Sequence, residues 1–491
     1  MTNLKERLVA IVGAPNVCDE EKVLENFAGD KSFVKPIIPR FSVKIHSGAE
    51  AEELVKLANE TKTPLVPVSS KGPHYNGDTV PGEPGAVIVD FSEMKKIVSV
   101  NRTHRIGIVE PGVTYAELLE ELKKHNLTIS MPLAPRAGKT VVGSVLETEP
   151  RLNSLHQWCF LDPLRCVEVT WGDGRRMYTG EAAGSVMDLE QQWKADKWQW
   201  EPVGPFMLDF FRMLTGAQGS MGLVSWASVR LEQAPRAHEL YFVPANKLED
   251  ISDFFYRIIK MRFSDEFFIL SGTELAYLMA KDAEEAVRLR ADLPNWVAII
   301  GFIGRDFLPE QRVAAQREDT REIAQTFGLK LVSALPGLRA AAVMEKISSP
   351  CPEGAYWKDV YKGAFQEIFF ATTLDRTPEF VSAMYAEAEL VGYPTEDVGV
   401  YIQPENMGTS YRCCFTLPYD AGNAKETARM KTLFKNASEK FSFMNAYYLR
   451  PYGIWAGLQL NKDAQSYKTI TELKGIFDPN GVMNPGKLRI N

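Results

Sequence analysis

Apolar segments of strand length alternate with segments of helical period along the first quarter of the chain. Residues 50–61 carry apolar side chains at helical spacing, and so do residues 115–125. Short runs rich in β-branched residues predict strands around Val43 and over residues 64–68, 86–90 and 106–110. A strand, a helix and another strand in succession predict a compact α+β unit at the amino end.

A second α+β pattern begins after Pro235. Between the two patterns, residues 166–171 and 224–231 predict strands, and Gly172-Asp173-Gly174 predicts a hairpin turn. Residues 181–205 are rich in Trp and Gln, have no clear period and are predicted to be an excursion. The elements predicted beyond Pro235 are strands at 239–243, 296–303, 398–402 and 411–417 and helices at 247–261, 310–327 and 425–438.

Composition indicates an ordinary globular protein. The 491 residues are 45% hydrophobic and 24% charged, which is enough chain for two or three domains. A net charge of −7 without a Lys or Arg cluster argues against a nucleic acid partner. The six cysteines form no CxxC pair, so their spacing predicts no metal site. No segment reaches membrane length, and reduced thiols fit a cytoplasmic location.

Five turns of small residues carry the candidate chemistry. The first, at residues 67–77, places Ser69, Ser70 and Lys71 directly after a predicted strand. Backbone N–H groups, hydroxyls and a cation can converge on a pyrophosphate only where side chains are small. The loop has neither Walker nor GxGxxG spacing, and a plain surface turn is the alternative interpretation. The other turns lie at residues 108–114, 135–144, 214–224 and 476–487.

In their order and separation, these turns resemble the vanillyl-alcohol oxidase and p-cresol methylhydroxylase (PCMH) family of flavoproteins. The resemblance is carried by Glu110-Pro-Gly-Val-Thr-Tyr115, Gly219-Ser-Met-Gly222, Asp478-Pro-Asn-Gly481 and Pro485-Gly-Lys487. It implies an α+β fold in which a PCMH-type FAD-binding domain of two α+β lobes covers residues 1–235. An α+β cap domain with an antiparallel sheet would cover residues 236–465, and a tail at 466–491 would return to the FAD domain.

The resemblance also implies which residues bind FAD. The pyrophosphate would lie on residues 69–74, and the isoalloxazine ring would run past residues 137–144 toward the cap. The implied cofactor-binding residues are Ser69, Ser70, Lys71, Gly72, Pro73, His74, Pro111, Gly112, Ala137, Gly138, Thr140, Val141, Gly143, Ser144, Gly219, Gly222, Val224, Asn484 and Lys487.

For catalysis, the resemblance implies transfer of a hydride from a small organic substrate to flavin N5, with a 4-substituted phenol or aromatic alcohol as the substrate. Tyr75 falls near the position of a phenolate-binding tyrosine, and Tyr448 and Arg450 fall near a Tyr and Arg pair. A fixed guanidinium lowers the cost of ionising a phenol. The alternative interpretation is aromatic packing over residues 447–452, with Arg450 at the rim.

The sequence departs from the family in three places. Pro135 and Arg136 stand where phenol-oxidising members place an acidic residue, which puts a carboxylate base near the flavin in doubt. Glu367 stands near the position of a flavin-linking His or Tyr, and His74 is displaced from the place where other branches link FAD. We therefore expect noncovalent FAD, with His74 beside the pyrophosphate.

Two other functions stay open. One is a 2-hydroxy-acid or other alcohol dehydrogenase of the glycolate and D-lactate dehydrogenase type, in which Arg450 grips a carboxylate. No histidine follows His238, so the histidine metal site of that branch is not expected. Glu353, Asp359 and Glu405 are candidate carboxylate ligands, but we expect each of them to be solvated at the surface. The other is a catalytically degenerate flavoprotein subunit of a larger complex.

The expected partners are a small phenolic substrate and an electron acceptor. The acceptor is oxygen, a cytochrome or an electron-transfer protein, and the sequence does not distinguish among them. A homodimer without a membrane span is expected. The tryptophans of the excursion, Trp193, Trp198 and Trp200, are expected to serve packing or a subunit contact.

Overall fold

The computed structural model describes residues 4–153, 162–184, 186–195, 197, 199–204 and 206–488. Cys159 and Trp198 lie outside these residues. Within the described ranges no helix combines the length and the apolar character needed to cross a membrane. The cysteines that the structure describes are all free thiols: Cys18, Cys166, Cys351, Cys413 and Cys414.

The first lobe is built on a four-stranded sheet. Its strands are β1 (Val17–Cys18), β2 (Phe41–Lys44), β3 (Leu65–Val68) and β4 (Val87–Asp90), in the order β1-β2-β4-β3. β2, β4 and β3 are parallel, and α1 (Leu4–Val12), α2 (Glu21–Ala28) and α3 (Gly48–Thr61) accompany them. α3 buries one face at helical spacing, through Ala51, Leu54, Val55 and Ala58.

The second lobe is built on a five-stranded antiparallel sheet. Its strands are β5 (Ile97–Asn101), β6 (Ile106–Val109), β8 (Leu164–Trp171), β9 (Arg176–Tyr178) and β10 (Gly222–Arg230), in the order β5-β6-β10-β8-β9. A small pair, β7 (Leu127–Thr128) and β11 (Glu232–Gln233), lies beside it. Its helices are α4 (Tyr115–Lys124), α5 (Val141–Leu146) and α6 (Leu189–Lys194). α4 begins at a capping box of Thr114 and Glu117, which satisfies its free N–H groups.

The cap is built on a six-stranded antiparallel sheet. Its strands are β12 (Ala237–Ala245), β13 (Phe267–Ser271), β14 (Trp296–Gly304), β17 (Ala364–Thr372), β18 (Gly399–Glu405) and β19 (Ser410–Tyr419), in the order β12-β14-β13-β18-β19-β17. A short pair, β15 (Ala334–Leu335) and β16 (Leu338–Arg339), stands apart. Its helices are α7 (Glu249–Met261), α8 (Gly272–Met279), α9 (Ala283–Asp292), α10 (Pro309–Thr326), α11 (Ala340–Ile347), α12 (Thr377–Val391), α13 (Ala424–Phe443) and α14 (Ile454–Leu460).

After α15 (Ala464–Phe477), the chain returns to the first lobe. Met483 pairs with Leu65 of β3 as an isolated parallel bridge. The Asn484 amide donates to the carbonyl of Asp78 at 2.8 Å, and Lys487 Nζ donates to the carbonyls of Gly77 and Val80 at 2.6 and 3.0 Å. These contacts fix the loop that follows β3.

The strands and helices predicted from hydrophobic period are confirmed, with ends that differ by a few residues. The predicted helix at 247–261 is α7, and the predicted strand at 411–417 is part of β19. Several elements were not predicted from the sequence, among them α1, α2, α8, α9, α12 and α15. The excursion contains the six-residue helix α6, which is too short to show a period, and Trp193 packs edge-on against Trp226 at 6.1 Å.

Candidate active site

A cavity of about 750 Å³ separates the two lobes. We call it the lobe cavity. Small and apolar residues from the end of β3, from α5 and from the turn before β10 form most of its wall. The predicted cofactor residues in its lining are Ser69, Pro111, Gly143, Gly219, Gly222 and Val224.

Three hydroxyls gather where the first turn meets α5. Thr140 Oγ1 lies 3.1 Å from the hydroxyls of both Ser69 and Ser70, and the Thr140 N–H donates to Ser70 Oγ at 3.2 Å. Thr140 and Ser70 are buried, whereas Ser69 lines the lobe cavity. Hydroxyls that already share hydrogen bonds can rotate to donate to an anion.

A second cavity, of about 980 Å³, lies between the lobes and the cap sheet. We call it the cap cavity. One side is an aromatic wall of Tyr75, Tyr356 and Phe365, whose ring centroids lie 4.9 to 5.9 Å apart. The charged residues that line this cavity are Asp78, Arg136, Lys139, Glu147, Glu149, Lys358, Glu367, Arg412 and Arg450.

Asp78, Glu147 and Arg450 line both cavities and therefore mark their junction. The buried Arg450 guanidinium lies 2.6 Å from the Asp78 carboxylate and 3.0 Å from that of Glu147. Lys139 Nζ lies 2.5 Å from Glu147 and 3.1 Å from Glu149. Burial opposes ionisation of Glu147, but Arg450 and Lys139 outweigh it and lower its pKa to about 2.

The structure separates the residues predicted to bind the phenolate. Tyr75 lines the cap cavity, and its hydroxyl donates to the Asp359 carboxylate at 3.1 Å. The prediction for Tyr448 needs correction, because its ring stacks on Trp455 at 4.7 Å and its hydroxyl donates to the Ser438 carbonyl at 2.8 Å in the cap core. Tyr448 lines neither cavity.

His74 lines the cap cavity rather than the lobe cavity. Burial and the charge of Arg136 lower its pKa to about 4, so the imidazole is neutral at physiological pH. Lys71, Gly72 and Pro73 of the same loop are exposed and line neither cavity. Of the residues of this loop, Ser69 lines the lobe cavity, and the contact of the loop with the pyrophosphate stays a prediction.

Comparisons with known proteins identify the domain at the amino end and the fold of the whole chain. Residues 39–176 match the FAD binding domain family. The 4-cresol dehydrogenase flavoprotein subunit of Pseudomonas putida is 24% identical over 204 residues, a match that covers 40% of this chain and only 38% of that protein. The structure of p-cresol methylhydroxylase with substrate bound superposes with a TM-score of 0.83 at 17% identity, covering 99% of this chain and 96% of that one. The chain therefore contains an FAD binding domain and shares the fold of p-cresol methylhydroxylase.

A second relative matches this chain nearly from end to end. The glycolate oxidase subunit GlcD of Bacillus subtilis is 21% identical, and the match covers 99% of this chain and 96% of that protein. The fold is therefore shared with proteins whose names refer to a phenol and to a hydroxy acid.

The lobe cavity fits the FAD that the family binds. A Cβ atom at Gly143 would lie 2.8 Å from Thr140 Oγ1 and 3.0 Å from Ser69 Oγ. Gly219 has a φ of +69°, and a Cβ atom there would lie 2.3 Å from Pro67 Cγ. Gln218 Oε1, in the same wall, is buried and has no hydrogen-bond partner in the part of the chain that the structure describes. Close backbone approach and a spare polar atom suit a dinucleotide, which Ser69, Gly143 and Gly219 would hold.

We expect the Gly143→Ala variant of the flavoprotein to bind FAD about tenfold more weakly, a loss of about 1.4 kcal/mol, because the added methyl group displaces the hydroxyls beside the cavity. Titration of the apoprotein with FAD, followed by flavin fluorescence, measures the change. Gly475→Ala is the matched control, because Gly475 is also helical and a Cβ atom there meets nothing within 4 Å. Equal affinities of the two variants would contradict the expected role of Gly143.

Some of the residues that the resemblance implies for FAD binding instead contact other parts of the protein. Asn484 and Lys487 donate to main-chain carbonyls, as described above. A Cβ atom at Gly112 would lie 2.7 Å from the carbonyl oxygens of Phe91 and Met94, so this glycine permits close backbone packing. The other members of the group, Ala137, Gly138, Val141 and Ser144, lie near α5 without lining either cavity, and their contact with FAD stays a prediction.

Sequence reasoning missed the carboxylates of the site. The acid expected before α5 is absent, but Glu147 and Glu149 reach the cap cavity from just after that helix. The signal was their spacing, because Glu147 follows Gly143 by one helical turn. Glu367 and Lys358 also face this cavity as an ion pair.

The carboxylates weighed as metal ligands have other roles. Asp359 accepts the hydrogen bond from Tyr75, and Glu405 is a buried partner of Arg412 at 3.0 Å, rather than a solvated side chain. Glu353 is exposed. Among the residues that the structure describes, no group of three or more His, Cys, Asp or Glu side chains could hold a metal ion.

Proposed function

We propose that the protein is an FAD-dependent oxidoreductase that takes a hydride from a 4-substituted phenol or aromatic alcohol bound in the cap cavity. The observation that carries the proposal is the aromatic wall of Tyr75, Tyr356 and Phe365 in a cavity whose junction with the lobe cavity holds Arg450. A flat substrate stacked on this wall gains both apolar burial and ring contacts. The names of the cresol-oxidising relatives support the same substrate class.

Bound FAD supplies the two-electron acceptor for this chemistry. Arg450 supplies a positive charge whose position is fixed, because its terminal nitrogens donate to Asp78 and Glu147. Arg450 Nε is buried and lacks a hydrogen-bond partner among the described residues. It can therefore donate to a substrate oxygen and favour the ionised phenol.

Tyr75 orients the substrate in this proposal. Burial and the neighbouring Asp359 carboxylate raise the pKa of Tyr75, so its hydroxyl stays protonated at neutral pH. Its ring forms the centre of the aromatic wall. We assign Tyr448 to core packing and reserve catalytic roles for Tyr75 and Arg450.

The second candidate is oxidation of a 2-hydroxy acid. The end-to-end similarity to the glycolate oxidase subunit favours it, and so do the cations that line the cap cavity. This candidate would work without a histidine metal site, because no histidine follows His238 in the sequence of the cap.

We expect 4-alkylphenols and 4-hydroxybenzyl alcohol to bleach the flavin absorbance of the FAD-loaded protein under anaerobic conditions, whereas glycolate and D-lactate leave it unchanged. The physical reason is that only the aromatic compounds stack on the wall. Stopped-flow absorbance of the wild type with both substrate panels is the measurement, and the Gly475→Ala variant is the control. Bleaching by the hydroxy acids alone would contradict phenol oxidation and support oxidation of a 2-hydroxy acid. If neither substrate panel bleaches the flavin, both candidate functions are wrong.

We also propose that FAD is held without a covalent bond. The side chain near the family's linking position is Glu367, whose carboxylate binds Lys358 and accepts the Cys414 thiol at 3.2 Å. A carboxylate engaged in this way replaces the His or Tyr that would link the flavin. The electron acceptor, the homodimer and the cytoplasmic location stay predictions.

A further inference from the structure

Arg136 differs from every other cation of the cap cavity. Its guanidinium donates to the Lys71 carbonyl, and within the described residues no carboxylate forms an ion pair with it. Each of the other cations has a carboxylate partner: Lys139 pairs with Glu147 and Glu149, Lys358 with Glu367, Arg412 with Glu405, and Arg450 with Asp78 and Glu147. The cavity therefore contains a guanidinium that no carboxylate of the described residues contacts as an ion pair, although its charge helps to lower the pKa of Glu147.

The backbone around Arg136 is anchored to the cap. The carbonyl of Pro135 accepts the Cys351 N–H at 2.8 Å, and the carbonyl of Ala134 accepts Trp357 Nε1 at 3.1 Å. A Cβ atom at Gly138 would lie 3.3 Å from Arg136 Nη1, so the glycine leaves the guanidinium the space that it occupies. The cap contacts therefore hold the backbone beside Arg136, and the hydrogen bond to the Lys71 carbonyl holds its half-buried side chain at the cavity wall.

The charge of Arg136 acts inside the cavity. After burial, it is the largest cause of the lowered pKa of His74. It also opposes the rise in the pKa of Tyr75 that burial and Asp359 produce. Arg136 lines the cap cavity and not the lobe cavity, so its charge is directed at the substrate side of the junction.

A planar guanidinium with most of its N–H donors unused is suited to a carboxylate, which it binds with two parallel hydrogen bonds. We propose that Arg136 binds a carboxylate of the substrate, and that the substrate is an aromatic carboxylate whose ring lies on the aromatic wall. The inference rests on the proposed function for the oxidised class and adds the anionic group.

The test compares two acids with their neutral amides. Isothermal titration calorimetry of the FAD-loaded wild type is expected to show that 4-hydroxybenzoate binds at least tenfold more tightly than 4-hydroxybenzamide. The same preference is expected for 4-hydroxyphenylacetate over its amide. Arg136→Gln is expected to abolish the preference for the acids over their amides. Arg136→Lys is expected to retain part of this preference, because lysine keeps the positive charge but cannot form the two parallel hydrogen bonds of a guanidinium. The control is Arg175→Ala, since Arg175 is an exposed partner of Asp173 far along the chain from this site.

Three outcomes would overturn the inference. The first is that the wild type binds each acid and its amide with equal affinity. The second is that the wild type does not bind the carboxylates at all. The third is that the Arg136→Gln variant keeps the preference for the acid over its amide while the affinity of the variant for FAD falls. The last result would assign Arg136 to the cofactor. Binding does not require turnover, so an Arg136-dependent preference without flavin bleaching by any aromatic substrate would leave the inference standing while the proposed function fails.

Discussion

Replacement of Arg450 by alanine is expected to lower the free energy of unfolding by about 3 to 5 kcal/mol. The physical reason is burial: Arg450 has a 2% exposed side chain and neutralises Asp78 and Glu147, whose side chains are only 14% and 23% exposed. Without the guanidinium, no described residue remains in ion-pair contact with Asp78, and Lys139 is the one described cation that remains in ion-pair contact with Glu147. Urea denaturation of the wild type and the variant at neutral pH measures the difference.

The same substitution is expected to reduce kcat/KM for a 4-alkylphenol by at least a factor of about 100, because a charge-assisted hydrogen bond to the substrate oxygen is lost. The control for stability is the double variant Arg450→Ala with Glu147→Gln. We expect it to regain part of the free energy of unfolding that Arg450→Ala loses, because one buried negative charge is removed, but not the lost kcat/KM. Unchanged turnover in a folded Arg450→Ala protein would remove Arg450 from the catalytic site.

The second large effect concerns Glu274 beneath the cap sheet. Burial raises the pKa of this carboxyl from 4.5 to about 7, against the opposing effects of Lys358 and Thr416. Because the folded-state pKa is raised, the unfolded chain loses its proton first as pH rises from about 4.5. Stability therefore falls between about pH 4.5 and pH 7 and does not change further on this account above that range.

We expect Glu274→Gln to be about 3 kcal/mol more stable than the wild type at pH 8 and close to it at pH 4.5. The Gln amide oxygen can accept the 2.8 Å hydrogen bond that Thr416 donates to Glu274, and the amide nitrogen takes the place of Oε2, which is buried without a hydrogen-bond partner among the described residues. Urea denaturation across this pH range measures the two curves, with Glu472→Gln, on a 64% exposed side chain, as the matched control. Parallel curves for wild type and Glu274→Gln would contradict a raised pKa at Glu274.

Much of the fold could be predicted because it depends on local pattern. The apolar face of α3 and the β-branched run of β6 can each be recognised from the order of a few residues in the sequence. The glycine turns could also be recognised in the sequence, and two of their glycines, Gly143 and Gly219, line the lobe cavity. Helices such as α15, which buries no residue completely, carry a weaker hydrophobic signal and were not predicted.

The charged part of the site depends on contacts that the sequence does not display. Glu147 meets Arg450 across 303 positions, and Asp78 meets it across 372. Tyr448 shows the same limit at short range. Its neighbour Tyr447 is exposed at the edge of the cap sheet while Tyr448 turns into the core, so closeness to Arg450 in the sequence did not place it in the cavity.

The return of the chain after α15 sets an order of events during synthesis. The loop beside Asp78 is held by Asn484 and Lys487, which are made 406 and 410 positions after their partners. A ribosome releases the lobes and the cap before these clamps exist. The residues that hold the loop beside Asp78, whose carboxylate pairs with Arg450 at the junction of the two cavities, are therefore among the last of the described chain to be synthesised.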